Sequence, residues 1–164
     1  NARFLFAVLR QEAWPAFISE CKRILRPGGI LRLTEPIDIG VTSSPSYQRI
    51  MDLWYQASWK AGYGFSVDGK TLGVTHMLPM LLRQTGLHTL QFRAHVLEVS
   101  LGTDAWYDFY HNAEIGGQQA RPFFVKMGVV TQAEIEALYQ QAASEMNAED
   151  FRGMWHYLSV WGSK

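Results

Sequence analysis

Few side chains in this sequence stand where they could do chemistry. Glu35 closes a short apolar stretch, Ile30–Thr34, and is followed by Pro36 and then Asp38. A carboxylate at the end of a buried strand lies where open α/β sheets present residues to ligands. Partly desolvated, it can orient an amine or hydroxyl, or take its proton. Asp38 shares the loop and ranks behind it. His76, next to Thr75 near a predicted helix start, is the histidine whose position suits a base. His88, His95 and His156 fall on predicted strands and read as structural residues. The histidines show no ligand spacing, and no HExxH, paired CxxC or carboxylate–histidine cluster occurs, so no metal site is expected. No GxSxG elbow is present, and Cys21 sits on an apolar helix face, which leaves nucleophilic catalysis without support.

Aromatic residues form 13% of the chain, enough to line a deep apolar cavity as well as a core. Trp54, Tyr55 and Trp59 recur as a stripe at helical spacing. Core packing is the plain reading of such a stripe, and the wall of a substrate pocket is the sharper one. Residues Thr103 to Glu145 supply a second group, Trp106, Tyr107, Tyr110 and His111, as a helical, lid-like insertion over 103–150. An aromatic lid excludes water and binds an apolar or aromatic small molecule. The candidate substrate-binding set is therefore Glu35, Trp54, Trp59, Trp106, Tyr107 and His111.

These residues need elements to hold them. The uniformly apolar Phe4–Arg10 predicts a first helix. Trp14, Phe17, Ile18, Cys21, Ile24 and Leu25 predict a second, with Pro15 in its first turn and Pro27-Gly28-Gly29 as its stop. Ile30–Thr34 follows as a strand. Ser43-Ser44-Pro45 starts a long helix, and Gly73–Gln84 predicts another that ends at Gly86. His88–Leu101 alternates as a strand and changes phase between Val96 and Leu97, as a β-bulge would make it do. Thr103–Asn112 and Arg121–Met127 read as two helices broken at Gly116-Gly117. Thr131 and Glu134 form a capping-box pattern before an amphipathic helix. Trp155–Trp161 is a strand with two apolar faces, and such a strand belongs in the middle of a sheet.

The gross numbers fit one compact domain over 1–164 with no linker or repeat. Fifteen basic and fifteen acidic residues leave no electrostatic footprint for nucleic acid or an anionic membrane. No apolar run reaches the roughly 18 residues of a membrane span. One cysteine excludes an internal disulfide and suits a reducing cytoplasm.

Three stretches, in order, resemble class I S-adenosylmethionine-dependent methyltransferases of the small-molecule type. They are Trp14 to Pro36 (W-x-x-F-x-x-E-x-x-R-x-L-R-P-G-G and the strand after it), Leu78 to Leu87 (LPMLLRQTGL), and the end, WHYLSVWGSK. The resemblance implies the C-terminal half of a Rossmann-like α/β sheet, its strands five, seven and six, with the last strand antiparallel between the other two. It implies S-adenosylmethionine as cofactor of the intact protein and a small-molecule methyl acceptor as partner. It also places Arg3 and Phe4 at the end of the fourth strand, beside the cofactor's methionine end. The family's glycine-rich turn after its first strand is not found. Gly62, Gly64 and Gly69 follow a predicted helix instead. On this reading the present chain is inactive alone, and the bare edge of the fifth strand is covered by a homodimer or strand swap. A different reading needs no upstream half: a non-enzymatic α+β module that binds a small ligand or dimerises.

Overall fold

The computed structural model describes all of residues 1–164. It is an α/β arrangement with a mixed five-stranded sheet and five α-helices. The strands are β1 (Ala2–Arg3), β2 (Ile30–Pro36), β3 (Val41–Thr42), β4 (His88–Glu98) and β5 (Gly153–Ser163). The helices are α1 (Trp14–Ile24), α2 (Pro45–Lys60), α3 (Leu78–Gln84), α4 (Trp106–Lys126) and α5 (Gln132–Met146).

β5 lies in the middle, antiparallel to β2 on one side and to β4 on the other. β3 continues the β2 side of it. β1 runs parallel to β2, with Ala2 beside Leu33 and Arg3 beside Thr34. The two apolar faces of Trp155–Trp161 therefore do belong to a central strand. The β2 edge is not bare along its whole length, because β1 covers it at Leu33 and Thr34.

Alternation divides the sheet. Leu31, Leu33 and Val160 point to one face and meet Trp14 and Ile18 of α1 and Leu78, Leu81 and Leu82 of α3 in one core. Full burial of each large side chain there is worth about 1.5–3 kcal/mol. The second core is a bundle of α2, α4 and α5 beyond the strand ends, centred on Ile50, Leu53, Phe109, Phe124 and Ile135. Ser44 caps α2, accepting the Tyr47 N–H at 3.0 Å. Thr131 and Glu134 complete the capping box of α5.

Four local expectations are corrected. Phe4–Arg10 is not a helix: Phe4 has φ 58, and the chain makes short 3-10 turns at Leu5–Ala7 and Gln11–Ala13. The helix expected from Gly73 starts only at Leu78. Gly73 has φ +65, and a Cβ there would lie 2.5 Å from the Phe65 carbonyl carbon, so the residue serves a tight chain crossing. The register shift in β4 falls between His88 and Gln91, not at Val96–Leu97. The sequence phase changes because the chain leaves the sheet after Glu98 and buries Val99 in the helical core. Finally, α4 runs unbroken through Gly116, Gly117 and Pro122.

Candidate functional site

The strand ends and the bundle enclose an aromatic cavity of about 290 Å³. Its walls come from separate parts of the chain. Phe4, Phe6 and Ala7 come from the N-terminal turn, and Ile39 from the loop after β2. Tyr47, Met51 and Trp54 come from one face of α2. Asn112, Ala113, Gly116 and Gly117 come from α4, with Tyr139 from α5 and Trp155 from β5. Trp54 packs edge-on to Phe124 at 5.6 Å and tilted to Phe6 at 6.5 Å. Its indole nitrogen is buried without a partner.

The two glycines shape the space. A Cβ on Gly117 would sit 2.2 Å from Tyr139 Cε1, so α4 and α5 approach this closely only because Gly117 has none. The Tyr139 ring also lies 4.6 Å below the Arg121 guanidinium, a cation–π contact. Tyr47 donates its hydroxyl to the Ile39 carbonyl at 2.8 Å, which ties α2 to the loop after β2.

Glu35 lies at the end of β2, fully buried, and does not line the cavity. One carboxylate oxygen accepts the Leu5 N–H at 2.8 Å and the other the Phe6 N–H at 3.1 Å. Burial pushes its pKa up to about 7, outweighing those two donors, which act to lower it. The carboxylate thus caps the turn that sets Phe4 and Phe6 against the cavity. Phe4 reaches this position in the left-handed region, at φ 58, where a non-glycine residue costs about 1–2 kcal/mol.

The other candidates are dispersed. His76 is exposed in the turn before α3, away from the cavity. Trp59 lies on the far side of α2, against Gly69, and is exposed. Trp106 stacks on Tyr110 at 5.4 Å and donates its indole N–H to the Met146 carbonyl at 3.1 Å. Tyr107 is exposed and meets His111 edge-on at 4.3 Å. His111 faces Glu114 at 3.3 Å. Tyr55 accepts the Ile39 N–H at 3.1 Å. Asp38 accepts from Gly40 at 2.9 Å and lies 2.7 Å from His156 Nδ1. Of the proposed substrate-binding set, the cavity brings in Trp54. Arg3 and Phe4 are neighbours, the Arg3 guanidinium 5.9 Å from the Phe4 ring centroid. Tyr47 and Met51 share the α2 face of Trp54 at spacings of seven and three residues. That spacing marks one apolar helix face in the sequence, whereas no local pattern marks Asn112, Tyr139 or Trp155 for the cavity.

No family model matches the sequence, and no curated protein matches it. Among solved structures the chain resembles phosphoethanolamine N-methyltransferase 2 of Haemonchus contortus. That protein has been solved with phosphomonomethylethanolamine and S-adenosylhomocysteine, and also with S-adenosyl-L-methionine. Identity is 13% and the TM-score 0.39, over 99% of this chain and 32% of that one. A further match is a protein of Bacillus halodurans assigned as a methyltransferase, with 14% identity and a TM-score of 0.33 over 91% of this chain and 61% of the other. These neighbours are methyltransferases. The chain spans about a third of the length of the first of them. No helix of the chain is long and apolar enough to cross a membrane.

Proposed function

We propose that residues 1–164 are the acceptor-side part of an S-adenosylmethionine-dependent methyltransferase acting on a small apolar or aromatic molecule. The observation that carries this reading is the place of the aromatic cavity. It lies just past the carboxyl ends of the parallel strands β1 and β2, closed over by α2 and α4. Open α/β sheets bind their ligands at that end. In this reading β1, β2, β5 and β4 correspond to the family's strands four, five, seven and six.

When bound, S-adenosylmethionine supplies a methyl group on a sulfonium, which the acceptor's nitrogen, oxygen or carbon takes directly. Arg3 and Phe4 are the residues of this chain that would border its methionine end. The glycine-rich turn and the ribose-binding carboxylate are not among these residues, so the cofactor is not gripped here and the chain alone is inactive. What these residues contribute is alignment and dryness. Phe4, Phe6, Trp54 and Trp155 exclude water, while Tyr139 and Asn112 are the polar side chains of the lining that could orient the acceptor. Glu35 acts as a positioning residue, through the turn it caps.

The test uses the full-length parent protein, methyl-labelled S-adenosylmethionine and a panel of small aromatic amines and phenols. Label transfer is expected from the full-length protein and from none of residues 1–164 alone, with at least a tenfold loss in Trp54→Ala. A full-length protein that neither binds the cofactor nor transfers label would sink the reading. Binding of a hydrophobic dye in the same cavity would then favour the non-enzymatic module.

A further inference from the structure

Opposite α1 and α3, helices cover the sheet only at its Trp155 end, where Phe109 of α4 packs on that ring, and the face around Ser159 is open. This part forms an open cleft of about 630 Å³ whose walls carry the guanidinium groups of Arg3 and Arg32 and the imidazole of His95. Arg93 stands on the same face by register, opposite Ser159. None of these four takes part in any of the ion pairs of the molecule, which join Arg23 to Glu20, Lys70 to Asp68, His111 to Glu114 and His156 to Asp38. Alternation sends the nearest strand carboxylates, Glu35 and Glu98, to the other face. No carboxylate lines the cleft, and Asp38, whose charge reaches the Tyr157 wall, faces His156 at 2.7 Å.

Arg32 is also held in place. Arg32 donates from Nη2 to Ser159 Oγ at 3.0 Å, and its guanidinium lies 5.6 Å from the centroid of the Trp161 ring. Ser159 is fully buried between Arg32, Thr34 Oγ1 at 2.7 Å and His95 Nε2 at 3.1 Å. This fixes one donor of the guanidinium and leaves its other N–H groups free, in the planar fork that suits an oxyanion. A surface arginine usually loses side-chain entropy on binding, and here much of that ordering is already done.

We infer that this cleft binds a small organic molecule through an oxyanion, phosphate or carboxylate, seated on Arg32 with Arg3 and His95 beside it. The inference does not rest on the methyltransferase reading. Phe4 belongs to the walls of both this cleft and the aromatic cavity, so the two sites are neighbours.

The experiment titrates residues 1–164 with phenyl phosphate and, separately, benzoate, at constant ionic strength set with sodium chloride. Amide and indole N–H resonances of Trp161 and the ring resonances of His95 are followed by NMR. A saturable shift is expected at both residues with at least one ligand, and the tighter of the two identifies the oxyanion. Arg32→Gln and, separately, Arg3→Gln should weaken binding, the former by at least tenfold, while each variant keeps a cooperative melting transition. No saturable shift with either ligand would overturn the inference. So would binding that Arg32→Gln and Arg3→Gln leave intact.

Discussion

Glu35 holds the backbone N–H of Leu5 at 2.8 Å, joining the end of β2 to a turn thirty residues earlier in the chain. With the matching contact to Phe6, this fixes the left-handed Phe4 and the wall of the aromatic cavity in one stroke. A buried acid here serves the backbone before it serves any ligand.

The first expected outcome follows from its titration. The folded pKa of Glu35 is raised from 4.5 to about 7, so the folded state holds the proton more tightly than the unfolded chain does. Its contribution is full below pH 4.5 and is lost as pH rises through 7. The shift corresponds to about 3 kcal/mol between those limits. Glu35→Gln should remove this dependence, so that the stability of the wild type relative to the variant falls from pH 5 to pH 8. Urea unfolding at several pH values measures it. A wild type whose relative stability stays constant, or rises with pH, would refute the assignment.

The adjacent glycines of α4 should respond oppositely to alanine. Nothing lies within 4 Å of a Cβ on Gly116, so Gly116→Ala should stabilise the helix by about 0.5–1 kcal/mol. Gly117→Ala drives a methyl into the Tyr139 ring and should cost about 1–3 kcal/mol. For a chain of this size each kcal/mol moves the melting temperature by roughly 2–4 °C, so calorimetry resolves the pair. Two changes of the same sign would contradict the helix packing described.

Glu145 of α5 clamps the start of α2. It accepts the Ser46 N–H at 3.0 Å and the Ser46 hydroxyl at 2.9 Å, as well as the Ser44 hydroxyl. Burial alone would raise its pKa, but these donors outweigh burial and hold it below the usual value. Its contribution is therefore present above the unfolded pKa and fades as pH falls through the lower, folded one. Glu145→Ala should cost about 1–3 kcal/mol at neutral pH, from the loss of charge-assisted hydrogen bonds. The deficit should narrow in acid. Chemical denaturation at pH 7 and pH 3 checks this, and equal costs at both would count against it.

We also propose a homodimer through an open sheet edge. β1 covers only the middle of β2, and β4 leaves its outer edge unpaired along eleven residues, with Phe92, Val96 and Leu97 exposed. Such an edge recruits another strand. Light scattering should give twice 18.7 kDa, and Phe92→Lys should return the mass to the monomer if β4 is the edge used. A monodisperse monomer of the unaltered chain would end the idea.

Local chemistry made much of the fold legible in the sequence. Pro27-Gly28-Gly29 ends α1 because proline cannot continue a helix and Gly28 adopts φ 74. Ser44 and Thr131 start α2 and α5 because their side-chain oxygens satisfy orphan N–H groups. The two apolar faces of Trp155–Trp161 sufficed to put that strand in the centre of its sheet. These signals act within a few residues, and so the chain displays them directly. Only the tertiary structure decided that α4 continues through Gly116-Gly117, because packing against Tyr139 overrides helix propensity. It also decided that Glu35 faces backbone amides, since those amides come from a turn thirty residues away. The cavity is assembled from six stretches that share no periodicity, and their convergence is a property of chain packing rather than of any local pattern.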